Sequence, residues 1–286
     1  MAASLSQSEP GAPLLVLGAS GPVGTFLLDR LSEQAVTVMA VSRQQPQRAD
    51  GRVIWMQLDL SHGPVEAEAS VLVSLGPIRH ALAQVEKGRR LGRVVALSSA
   101  STLFKTQSSD PAERELMAEL LSLEQALEQA CRERDIDLTL LKPTMIYGGG
   151  RDGNVSRIGA LVKHLGLVPY CGKGLRQPVH ADDLARVVVD CLKLGRRAAG
   201  RYLLGGGETL DYPTLLKRVG SARGQVVKLV RLPVFLLKLM LKLAHLSGRM
   251  NDVRPAMLER QAIDLVVDDQ PARERLNWRP RAFRPD

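Results

Sequence analysis

Aromatic residues are scarce in this sequence: four phenylalanines, four tyrosines and two tryptophans make up 3% of 286 residues. So few rings exclude a base-stacking platform for single-stranded nucleic acid. Cysteine is scarcer still. Cys131, Cys171 and Cys191 are far apart and odd in number, no Cys-x-x-Cys pair occurs, and the five histidines are isolated. That spacing suggests neither a disulfide framework nor a metal site, and a reducing cytoplasm is the expected compartment. Long apolar runs are missing too. The most apolar segment, LPVFLLKLMLKLAHL (Leu232–Leu246), is shorter than the roughly 20 residues a bilayer span needs. Lys238 and Lys242, four apart, share one face of it. It is expected to pack on a smaller lobe; the alternatives are a peripheral membrane contact or a lid over an apolar substrate.

What is present is a globular composition. Apolar residues make up 45% of the chain, enough for a sizeable core. The formal charge is +9, but the arginines are scattered, and pairs such as Arg89–Arg90 and Arg196–Arg197 fall at expected helix ends, where cations meet exposed carbonyls. No nucleic-acid partner is expected; a basic surface suits an anionic cofactor or an acidic membrane. Residues 1–12, small and polar, read as a flexible N-terminus without the charged start and apolar core of a secretory signal.

Short apolar runs recur through the first half: Leu14–Leu17, Val36–Val41, Val53–Leu58, Val71–Leu75, Val94–Leu97 and Leu138–Leu141. They are nearly continuous in apolar residues, as strands buried on both faces should be. Helical stretches separate most of them. The longest, about Pro111 to Arg134, carries Leu116, Leu120, Leu123, Leu127 and Ala130 on one stripe. This alternation predicts an α/β fold, a doubly wound parallel sheet with helices on both faces. Residues 13–150, with parts of 175–205, form that domain, and 151–286 mostly form a smaller C-terminal lobe.

The first strand runs into GASGPVG, residues 18–24, and then into a helix. Gly18, Gly21 and Gly24 allow the tight turn and the close backbone approach that a pyrophosphate needs, and the free amides of the helix face the phosphates. A strand, this turn and a helix within one strand–helix–strand unit form a dinucleotide site, with Ser20, Pro22 and Val23 also in the turn. The second strand ends in Ser42 and Arg43 where an NAD enzyme usually carries a carboxylate for the ribose 2′-hydroxyl. A guanidinium there suits a 2′-phosphate, so NADP is expected and NAD is the alternative. Asp59 and Leu60 end the third strand, where they would meet the adenine ring or cap a helix.

Seven stretches in order, GASGPVG, DL at 59–60, VVALSSAS, LEQALEQA, LLKPTMIYGGG, PVHADDLARVV and LNWRPRAF, resemble the extended short-chain dehydrogenase/reductase family, which includes nucleotide-sugar epimerases and dehydratases. The resemblance implies a Rossmann domain binding NAD(P) and a C-terminal substrate lobe. It implies that Ser74, Leu75 and Gly76 line the cofactor. Lys142, Pro143 and Thr144 would lie near the nicotinamide, with Ser98 at the end of the fifth strand. His180 and Asp183 would brace the lobes.

The chain departs from the family at its reaction centre. Family enzymes carry Tyr-x-x-x-Lys on the long helix; aligning LEQALEQA puts Leu116 and Leu120 there. No tyrosine occurs between Ser98 and Ile146, and the only lysines in that stretch are Lys105 and Lys142. Ser98, Ser99 and Ser101 are all available as the assisting serine, and one alignment puts Ala100 there instead; Ser99, Ser101 and Tyr147 are the catalytic candidates, and Glu119 on the long helix is expected to be solvated. Three functions remain in view: an NADP-dependent oxidoreductase with a non-standard site and an apolar small-molecule substrate, a non-catalytic NAD(P)-binding regulatory or scaffold protein, and a nucleotide-sugar epimerase or dehydratase, which the missing acid–base pair disfavours. A monomer or homodimer is expected.

Overall fold

Strand β1 (Leu14–Leu17) is apolar at every position because both of its faces are covered. Leu14 and Val16 point into one core cluster, Leu15 and Leu17 into another. This two-residue alternation is what a sheet sandwiched between helices requires. The computed structural model describes residues 13–34, 36–43, 52–88, 90–150, 153, 155–164, 167–248, 250–251 and 253–285. The expected flexible segment 1–12 lies outside them.

In chain order, β1 is followed by α1 (Pro22–Ser32), β2 (Val38–Ser42), β3 (Val53–Gln57), β4 (Val71–Ser74), α2 (Ile78–Lys87), β5 (Arg93–Leu97), α3 (Ser101–Phe104), α4 (Pro111–Glu133) and β6 (Asp137–Pro143). Then come β7 (Ile146–Tyr147), α5 (Val155–His164), β8 (Leu167–Tyr170), β9 (Leu175–Arg176), β10 (Val179–His180), α6 (Ala181–Leu194) and β11 (Gly200–Leu204). The chain closes with β12 (Leu210–Asp211), α7 (Tyr212–Ala222), β13 (Lys228–Arg231), α8 (Val234–Leu246), α9 (Pro255–Glu259) and α10 (Gln270–Leu276).

Seven strands form one sheet in the order β11-β6-β5-β4-β1-β2-β3, and every pairing is parallel. The order reverses between β1 and β4, the switch point where such sheets bind ligands beyond their strand ends. Helices α1 and α6 cover one face, and α2 and α4 the other. The expected doubly wound sheet is therefore the observed one. Its strands differ from expectation by a residue or two at their ends, and β11 joins as the seventh.

Beyond β6 the chain builds two-stranded pairs, β7 with β10, β9 with β12 and β8 with β13. It then returns to the main sheet: Ala272 and Leu276 of α10 and the ring of Trp278 lie in the same core as α1 and α6. The indole N–H of Trp278 donates to the Gly205 carbonyl at 3.0 Å and to Asp269 at 3.1 Å, which satisfies its one polar atom. Cys131 and Cys191 are buried, and burial pushes both thiols up to about 12, so both are inert packing residues.

Candidate functional site

The turn after β1 is held by sterics that only glycine meets. Gly18 has φ +77°, and a Cβ there would sit 3.0 Å from the Gly76 nitrogen at the end of β4. A Cβ on Gly24 would lie 2.4 Å from the carbonyl oxygens of both Gly18 and Ala19. Gly24 thus lets α1 pack directly on the turn. Gly76, across the switch point, faces open space.

The helices of the chain start in two ways: α4, α6 and α7 carry a side-chain cap, while α1, like α2, α8, α9 and α10, does not. Asp110 caps α4 by accepting from the Ala112 amide, His180 caps α6 by accepting from Asp182, and Asp211 caps α7 by accepting from Thr214. The N-cap of α1 is Gly21, with no side-chain cap and no acid in the first turn. Its positive end is left for an outside anion. The hydroxyl of Ser74, at the end of β4, is buried and without a hydrogen-bond partner among the described residues.

Around the turn, the Ser42 hydroxyl donates to that of Ser20 at 3.1 Å. Arg43 is exposed at the end of β2. Asp59 accepts from the Ser61 amide at 2.9 Å, and the Ser61 hydrogen bonds hold its carboxyl below the usual aspartate value. It closes a turn, with Leu60 packed at the edge of the core.

A buried ionic group lies beyond β5. Glu124 on α4 is fully buried; it accepts from the Lys142 ammonium at 2.7 Å and from the Ser98 hydroxyl. Arg201 of β11 stands 3.9 Å from the same carboxylate. Ser98 and Lys142, both expected near the cofactor, are thus joined through a third residue that sequence reading did not single out. The signal was available: Glu124 falls four residues after Leu120 and three before Leu127, on the buried stripe of α4.

The helix face where the resemblance assigns a phenol and an ammonium carries Leu116, which is 53% exposed, and the half-buried Leu120. Ser99 accepts from the Ser101 amide at 3.1 Å within the turn that starts α3. Lys105 lies 3.8 Å from Glu113, which Arg260 and Ser108 also engage. Burial and the nearby Arg260 lower the Lys105 pKa. Glu119 is exposed on α4.

Tyr147 is buried. Its ring meets His180 edge-on at 5.0 Å and Phe283 at 4.9 Å, and its hydroxyl accepts from the Arg284 amide at 3.3 Å. Thr144 donates its hydroxyl to the Gln177 carbonyl, and the Pro143 carbonyl accepts from the Ala100 amide at 2.9 Å. Asp183 accepts from the backbone and side chain of Arg281, while Asp182 links Arg281 to Arg30 of α1. A cleft of about 340 Å³ is lined by His180, Arg281, Ala282 and Arg284. Among the described residues no group of His, Cys, Asp or Glu is placed to hold a metal ion.

No protein-family model matches the chain. It superposes on the structure of MoeE5 in complex with UDP-glucuronic acid and NAD at a TM-score of 0.65, covering 95% of this chain and 94% of that one at 19% identity. The likeness is one of fold, a Rossmann α/β sheet with flanking helices. The UDP-glucuronic acid 4-epimerase from Bacillus cereus, in complex with NAD, shares the fold at a TM-score of 0.67, with 95% and 92% coverage and 14% identity. In sequence, UDP-glucose 4-epimerase from Vibrio cholerae is 21% identical over 179 residues, 62% of this chain. The match spans about half, 52%, of that relative's length.

Proposed function

We propose that this chain is an extended short-chain dehydrogenase/reductase that binds NADP and exchanges hydride with an apolar small molecule without a tyrosine acid. The observation that carries the reading is the cradle at the switch point. There Gly24 admits no side chain, α1 starts uncapped, and the Ser74 hydroxyl lacks a partner among the described residues. These residues fit a dinucleotide pyrophosphate: a close-packed glycine turn, a helix start without an acid, and a hydroxyl with no partner among the described residues. Bound there, the nicotinamide ring supplies or accepts a hydride.

The chain's own residues then divide the work. Gly18, Ser20, Gly21, Pro22, Val23 and Gly24 hold the diphosphate. Arg43, exposed beside Ser42, pairs with a ribose 2′-phosphate, and Asp59 and Leu60 border the adenine. Ser74, Leu75 and Gly76 line the far side. Ser98 and Lys142 contribute a fixed wall, because Glu124 holds both. No phenol on α4 stores a proton for a carbonyl oxygen, and both lysines of that region face glutamates. An acceptor that takes its proton from water, such as an activated alkene or a quinone, suits such a site better than a sugar ketone.

The engaged lysines also favour a second reading, a non-catalytic NAD(P)-binding regulator. The names of the similar proteins support a third, chemistry on a UDP-sugar. One titration with NADPH, NADP, NADH and NAD, run on wild type and Arg43→Ala, tests the cofactor. Tighter binding of the phosphorylated pair, lost by about 1.5–3 kcal/mol in Arg43→Ala, supports NADP; equal affinities refute it. NADPH oxidation with a panel of quinones and enones separates the enzyme from the regulator, and UDP-glucose turnover would support the third reading.

A further inference from the structure

Helix α8 is strongly apolar, yet most of its length is open to solvent. It buries Leu237 and Leu241 and leaves Phe235 70%, Leu239 52%, Leu243 59% and Leu246 78% exposed. Spacings of four, four and three residues align these side chains on one stripe along the helix. The patch is no scatter of single residues. Of the fourteen large apolar residues exposed in the described chain, eight fall between Val226 and Met250. Contiguous apolar surface of this kind marks a contact.

Charge narrows what the contact is. From Tyr212 to Asn251 the sequence holds eight lysines and arginines and no aspartate or glutamate, against a formal charge of +9 for the whole chain. Lys228 and Arg231 on β13 and Lys242 on α8 are exposed, and among the described residues no carboxylate lies within ion-pair distance of them. A second copy of the chain, docked face to face, would bring two such cationic segments together. At 13 residues α8 is too short to cross a bilayer, and no helix among the described residues is long and apolar enough to do so. A surface that is apolar below and anionic above matches both halves of the pattern.

We propose that α8 is an interfacial anchor that lies flat on an anionic phospholipid bilayer. Phe235, Leu239, Leu243 and Leu246 enter the acyl boundary, while Lys228, Arg231 and Lys242 meet headgroup phosphates. The pattern is that of a short helix in the plane of the interface, apolar stripe inward, with Lys242 on the helix itself and the cations of β13 just before it in sequence.

Vesicle flotation of the full chain, without nucleotide, tests this apart from the proposed activity. The probes are vesicles of phosphatidylcholine alone and vesicles in which a third of the lipid is phosphatidylglycerol. Wild type is expected to float with the anionic vesicles and to be released by salt near about 1 M, where screening shortens to about 3 Å. Phe235→Ser with Leu243→Ser is expected to weaken binding about tenfold or more. Lys228→Gln with Lys242→Gln is expected to weaken it about fivefold per cation. All four positions are exposed, so unchanged melting curves should accompany both losses. No flotation, or equal flotation with neutral vesicles, overturns the proposal. So does a soluble dimer, seen by sedimentation equilibrium, that Phe235→Ser converts to monomer while wild type ignores vesicles.

Discussion

Replacing Glu124 by glutamine tests the buried ionic group most directly. In the folded chain its carboxylate is fully buried and 2.7 Å from the Lys142 ammonium, which is itself 2% exposed. At that distance, and at an effective dielectric of about 20, the attraction is about 6 kcal/mol before desolvation is counted. The Glu124→Gln change keeps the shape of the side chain and leaves the ammonium buried without an anion. Breaking buried pairs in this way costs about 3–5 kcal/mol. For a chain of this size that lowers Tm by roughly 6–20 °C. Lys142→Met should cost less, since Ser98 still donates to Glu124 and Arg201 stands 3.9 Å away. The double variant removes both charges and should recover most of the loss. Urea unfolding of wild type, the two single variants and the double variant measures the coupling. A single-variant loss under about 1 kcal/mol, or a double variant that loses the sum of the singles, refutes the reasoning.

Gly24→Ala places a methyl 2.4 Å from two backbone oxygens. It should destabilise by about 1–3 kcal/mol and also weaken NADPH binding in the same titration; wild-type values for both would remove the cradle from the account. Acid should act on the carboxylates paired with arginine. Burial alone would raise the pKa of Asp182, but its bonds to Arg281 and Arg30 lower it; Glu113 is lowered likewise by Arg260 and Ser108 against its burial. A lowered folded-state pKa contributes stability above the unfolded value and loses it as pH falls through the folded one. Tm should therefore stay level down to about pH 5 and drop below it, with Arg281→Gln flattening that drop. A drop unchanged in that variant would remove the Asp182–Arg281 pair as a cause.

Much of this protein was legible in its residues. Continuous apolar runs meant strands covered on both faces, because a strand with one wet face alternates. The runs at Leu14, Val71 and Val94 fell where β1, β4 and β5 lie. Gly18 and Gly24 announced a turn that tolerates no side chain, since that restriction is local to the backbone. The reach of α4 followed from its leucine periodicity between Pro111 and Arg134, although the face it buries carries Met117, Glu124, Leu127 and Cys131 and leaves Leu116 exposed. Other facts were decided by partners distant in sequence. That β11 completes the sheet and Trp278 returns to its core depends on long-range packing. That Ser98, Glu124 and Lys142 form one group depends on β5, α4 and β6 lying side by side, and neither their spacing nor their composition states it. The apolar stripe of α8 was visible as periodicity, but a period only says that one face differs from another. Which face is covered was settled by the fold, which buries Leu237 and Leu241 and leaves Phe235, Leu239, Leu243 and Leu246 to the solvent.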